Sequence, residues 1–76
     1  DGEPKFVMDD IKKALSSLQQ EYYVPFTMYF EGYKYHEIAE ELQIPIGTVK
    51  TRIFVARRIL RERLKDYADA FGYQIA

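Results

Sequence analysis

Seven of the chain's eleven lysines and arginines fall between Thr48 and Lys65: Lys50, Arg52, Arg57, Arg58, Arg61, Arg63 and Lys65, with Glu62 the single acid among them. The stretch before it, Asp1 to Gly47, holds nine acids against Lys5, Lys12, Lys13 and Lys34. The formal net charge of −1 over 76 residues therefore conceals two opposed parts. A basic segment on an acidic body is the electrostatic footprint of a nucleic-acid reader. A plain solvated basic face is the other meaning of such a charge run. Other chemistry finds no set of residues to carry it. There is no cysteine, which removes disulfides and thiolate metal sites and fits a reducing, cytoplasmic compartment. His36 is the lone histidine, with no clustered ligands to make it a metal site and no nucleophile to make it a catalytic base. Ser16 and Ser17 sit on an ordinary amphipathic stretch. No catalytic residue, metal site or cofactor is expected.

The basic segment needs an element to hold it. Val49, Ile53, Ala56, Leu60 and Leu64 recur at spacings of three and four, which predicts a helix over about 46–65 with one apolar stripe. Ile38, Ala39 and Leu42 predict a shorter helix over Tyr35–Leu42. Between them, Ile44, Pro45, Ile46 and Gly47 break the pattern, since proline cannot continue a helix but is tolerated at the start of one. Two apolar helices joined by so short a turn must cross steeply, which is the helix-turn-helix arrangement. Upstream, Ile11, Ala14, Leu15 and Leu18 form the stripe of a first helix that Asp9 or Asp10 could cap. A second helix is expected over about Gln20–Phe30, bent at Pro25, with Tyr22, Phe26, Tyr29 and Phe30 on one face and Gly32 ending it. Aromatics at helical spacing mean core, and less often a base-stacking platform; some of this cluster could instead form an apolar dock. The fold class is all-α: a small bundle of four to five helices containing a helix-turn-helix.

At 3.6 residues per turn, the side of the basic helix opposite its apolar stripe carries Thr51, Phe54, Val55 and Arg58, with Lys50 and Arg61 along one edge. The start of a recognition helix lies deepest in the major groove. Lys50, Thr51, Phe54 and Val55 are therefore the candidates for base edges: Lys50 toward guanine acceptors, Thr51 by hydrogen bond or methyl contact, Phe54 and Val55 on methyl groups. Arg52, Arg57, Arg58 and Arg61 lie toward the sides, as phosphate contacts that position without specifying. Gly47 and Thr48 open the helix, where a glycine allows close approach to a phosphate and the threonine hydroxyl adds a hydrogen bond. Gly47 could equally serve only a tight turn.

The sequence GYKYHEIAEELQIPIGTVKTRIFVARRIL, from Gly32, resembles the promoter-reading region four of bacterial sigma factors, and the extracytoplasmic-function (ECF) group above all. Glu37-Ile38-Ala39, the run Ile44 to Lys50, Arg52-Ile53 and Ala56-Arg57 carry the likeness, which covers roughly Ile11 to Leu64. The resemblance implies binding of the upstream (minus thirty-five) promoter element in double-stranded DNA, within RNA polymerase holoenzyme. It implies a contact with the flap of the polymerase core's beta subunit, an anti-sigma factor as a further partner, and no enzyme activity of the chain's own. It also gives Lys34 a meaning. Sigma relatives carry a serine or threonine cap there; a lysine opposes the helix dipole, and a DNA phosphate would offset that. Val55 departs from the arginine of some relatives, so a polar base contact does not carry over to it.

The chain reads as one domain over 8–71, with a linker remnant at 1–7 and a tail at 72–76. A chain this short buries only about 60% of its unfolded surface. No apolar run approaches the ~20 residues of a membrane span, so no membrane contact is expected. A monomer is expected in isolation. Two other functions fit parts of the pattern. The effector domain of a response regulator shares the Glu37-Ile38-Ala39 and Thr48-Val49-Lys50 pieces, without the continuation through Arg57. A protein-interaction module would dock its basic helix on an acidic partner.

Overall fold

The computed structural model describes the backbone of residues 6–70 and the side chains of residues 9–66. Four helices follow one another: α1 Phe6–Ser16, α2 Gln20–Phe30, α3 Tyr35–Leu42 and α4 Ile46–Ala70. α4 packs against all three others, and α2 also meets α3. The apolar stripe read from the sequence is the centre of the core. Val49 and Ala56 are fully buried, Ile53 and Leu60 nearly so, and Ile38 of α3 closes on them together with Ala14, Leu18 and Phe26. Burial of each of Ile38, Val49 and Ile53 contributes on the order of 2 kcal/mol.

α1 begins at Phe6, ahead of the expected start. Asp9 and Asp10 therefore do not cap it, and Phe6 and Val7 are helical where a linker was expected. Asp9 lies in the first turn, where its charge favours the positive end of the helix. Asp10 is buried, and its Oδ2 has no hydrogen-bond partner. Ile11, expected on the apolar stripe, is at the surface. The tail expected from residue 72 lies outside the described residues.

α2 spans the expected residues and retains Pro25 in its interior. Pro25 is fully buried, so its ring adds packing where its missing N–H costs a bond. The acceptor left without a helical donor is the carbonyl of Glu21, an exposed residue that water reaches. The Thr27 hydroxyl donates to the carbonyls of Tyr23 and Val24, at 2.9 and 3.1 Å. Gly32 ends the helix at φ +106°, with the Tyr33 N–H donating back to the Met28 carbonyl at 3.1 Å. The aromatic face divides. Phe26 is buried and Tyr22 half-buried, while Phe30 is 69% exposed. Phe30, four residues past Phe26, lies at the surface between α1, α2 and α4.

The turn between α3 and α4 is built from two devices. Gln43 adopts the left-handed conformation, φ 56° and ψ 49°, and the Ile44 N–H donates to the Ala39 carbonyl at 3.1 Å. Pro45 then supplies the carbonyl that accepts from the Thr48 and Val49 N–H groups, at 3.0 and 3.1 Å. A side chain at positive φ is strained where glycine is not. Gln43→Gly should therefore stabilise the domain by about 0.5–1 kcal/mol, read as a rise of a few degrees in melting temperature. A lowered melting temperature would show that the Gln43 side chain holds the turn by contacts of its own.

Candidate nucleic-acid interface

The start of α4 carries the features expected of a phosphate-facing helix end. The Pro45 carbonyl takes the amides of Thr48 and Val49, which leaves those of Ile46 and Gly47 without acceptors inside the helix. A Cβ placed on Gly47 would meet nothing within 4 Å, and the residue has ordinary helical backbone rather than positive φ. Neither crowding within the fold nor turn geometry requires glycine here. A glycine leaves the backbone there open to close approach from outside.

Beside this end lies an open concavity of about 620 Å³, formed where the start of α2 meets the first turns of α4. Gly47, Thr48, Thr51, Arg52 and Val55 line it, so five of the sequence-predicted residues converge there. Glu21 and Tyr22 form its other wall. The sequence pattern missed both, because their helix carries no basic run and Tyr22 reads as core. Only the crossing of α2 and α4 brings them to this surface.

The remaining predicted residues separate. Phe54 stands on the outer face, 61% exposed, and Arg58 is exposed beside it. Lys50 points to the α3 side, its Nζ 5.7 Å from the centre of the Tyr35 ring. That ring is stacked on Tyr29 at 5.1 Å and 18°. The hydrogen bond to Tyr29 is the main influence holding the Tyr35 phenol above its ordinary pKa, with Arg57 pulling the other way. The Tyr35 phenol is thus neutral at physiological pH. Lys34 is exposed at the start of α3. Its N–H donates to Glu37 Oε1 at 2.8 Å, so Glu37 supplies the capping that a lysine side chain cannot. The local cost expected at Lys34 is thereby reduced. His36 is exposed, as expected.

Arg57 and Arg61 face elsewhere. They border a groove of about 470 Å³ between α1, α2 and α4, whose other walls are Ile11, Leu15, Phe26, Phe30, Leu60 and Leu64. The groove is apolar, and it accounts for the exposure of Phe30 and Ile11 as surface rather than failed core. Among the described residues no group of acids and histidines is arranged to hold a metal ion, and no helix is long and apolar enough to cross a membrane.

The family model "Sigma-70, region 4" matches residues 8–60, more than half of the chain. The chain is also similar to the RNA polymerase sigma-H factor of Pseudomonas aeruginosa, with 47% identity over 36 residues. That alignment covers 47% of this chain and 19% of the relative, so the chain spans only a small part of the relative's length. No solved structure gives a significant match.

The open space at Gly47 makes a prediction that separates fold from binding. Gly47→Ala should leave stability unchanged or raise it by up to about 1 kcal/mol, while weakening binding to duplex DNA in a fluorescence-anisotropy titration. Unchanged affinity in a well-folded variant would remove Gly47 from the interface.

Proposed function

We infer that this chain, which belongs to the Sigma-70 region 4 family, is the part of an ECF sigma factor that reads the upstream (minus thirty-five) promoter element in double-stranded DNA. The observation that carries this reading is the recognition helix itself. Its apolar stripe is consumed by the core, so its outer side is free to enter a major groove with Thr51, Phe54 and Val55 foremost. An exposed phenylalanine serves no packing purpose within the domain, and thymine methyl groups would cover it. Lys50 joins these residues as a donor to base acceptors. Gly47, Thr48, Arg52, Arg58 and Lys34 supply the phosphate contacts that fix the register. The domain does no chemistry of its own, and the polymerase it serves would supply the catalysis.

The apolar groove supports the second partner. A helix from the beta-subunit flap of the polymerase core would lay its apolar face on Phe30, Leu15 and Leu64. Arg57 and Arg61, at the rim, suit acids on such a helix better than they suit the DNA backbone. An anti-sigma factor, the third partner, would act by covering the basic helix or this groove. The domain would bind as a monomer, and its localisation would be cytoplasmic.

Selection from randomised duplexes at low salt should enrich one short motif, not a pair of half-sites. Thr51→Ala and Phe54→Ala should each weaken binding to that motif by about fivefold or more and change the preferred bases. Enrichment without a motif, together with steep salt dependence, would reduce the interface to phosphate contacts.

The groove is tested by charge at an exposed site. Phe30→Asp should abolish binding to the isolated beta flap and leave affinity for the enriched duplex within about twofold, since Phe30 is at the surface and away from the recognition face. Retained flap binding would move that contact to another surface.

A further inference from the structure

We propose that Tyr35, which lies outside the recognition helix, is a positioning residue for DNA binding: its ring, backed by Tyr29, holds the Lys50 ammonium at the α3 side of the recognition helix. The inference rests on the reading of Lys50 as a DNA contact. A lysine on a helix surface ordinarily samples many rotamers, and ordering it on binding costs affinity. Here its ammonium sits 5.7 Å from the Tyr35 ring centre, within the reach of a cation–π attraction. The attraction is directional only if the ring is held. Tyr35 is the first residue of α3, half-buried and packed against the core, and its ring is stacked on Tyr29 at 5.1 Å and 18°. Tyr29 in turn meets Phe30 edge-on at 6.3 Å. The stack favours this ring position over one that would follow the lysine. The lysine is placed by the ring.

The placement has a consequence for what Lys50 reaches. Thr51 and Val55 open onto the concavity beside α2, and Lys50 stands on the opposite flank of α4, next to the start of α3 where Lys34 is exposed. Tyr35 keeps the charge on that flank, so the two sides of the recognition helix address different parts of the groove. A lysine free of the ring could fold toward either side and would discriminate less.

The test is a double-mutant cycle on Tyr35→Leu and Lys50→Ala, with Tyr35→Phe as the conservative variant, measured on the duplex the native domain enriches. If no duplex is enriched, a mixed-sequence duplex at low salt serves, so that failure of sequence reading is seen separately from failure of the coupling. Tyr35→Leu should lower affinity ~2–5-fold, the size of an exposed cation–π contact, and Tyr35→Phe should not. In the Lys50→Ala background, Tyr35→Leu should have no further effect. In the free domain the Lys50 ε-methylene protons should be shifted upfield by the ring, in native protein and Tyr35→Phe alike, and should lose that shift in Tyr35→Leu. Melting temperatures of all variants identify any loss that is merely unfolding. Additive effects of the two substitutions, equal losses for Tyr35→Phe and Tyr35→Leu, tighter binding by Tyr35→Leu, or no ring shift at Lys50 would each overturn the proposal.

Discussion

The structure depends on one stripe of α4. Val49, Ile53, Ala56 and Leu60 face inward, and every other helix packs against that helix. In so small a domain there is little apolar surface to spare, and large-to-small substitutions in such a core cost several kcal/mol. The stripe therefore fixes the rotation of α4 about its axis. Once the rotation is fixed, the outer residues have no freedom to choose their direction. Thr51 and Phe54 must point away from the core, and Arg57 must lie at its margin. Recognition is thus specified by packing. The same residues that hold the fold together determine which side chains a groove of DNA would meet.

The turn before α4 adds the second constraint, its crossing with α3. Gln43 in the left-handed conformation stops α3, and Pro45 starts the next helix with its carbonyl already engaged. Between them the chain has little remaining latitude, and Ile38 meets Val49 and Ile53 in one buried cluster. The packing of α3 on α4 is what presents the start of α3, with Tyr35, to the same side as Lys50. Charge follows the same division. Arg61 is repelled by Arg57 and Arg58, four and three residues before it on one helix, a cost of a few tenths of a kcal/mol per pair. An anionic partner relieves that repulsion, so the basic helix is more comfortable bound than free.

Periodicity alone located three of the four helices well, because their apolar spacing and their breaks agree. α3 ran over the expected residues, and α4 began directly after its proline. Cap residues misled the reading of α1: Asp9 looked like a start signal, yet an acid in the first turn is as favourable as one just ahead of it. The aromatics of α2 left core and apolar dock both open. Spacing places Phe26 and Phe30 on one side of a helix, but it does not say where the neighbouring helix ends. Phe30 lies where α1, α2 and α4 leave a groove between them. The concavity walls Glu21 and Tyr22 were illegible for a related reason, since they join the site only through a tertiary crossing. Pairing of Arg57 and Arg61 with an apolar groove was hidden by their charge, which reads as DNA contact on any basic helix.

Helix α4 runs for 25 residues, at 1.5 Å per residue roughly 37 Å. A recognition helix uses only its first few turns in the major groove. The second half is longer than that task needs, and it is this half that forms the apolar groove with α1 and α2. A continuous helix is stiff over such a distance, so whatever occupies the groove is held at a fixed position relative to Thr51 and the start of the helix. Arg57 stands at the seam, its charge felt at Tyr35 on one side and its side chain lining the groove on the other.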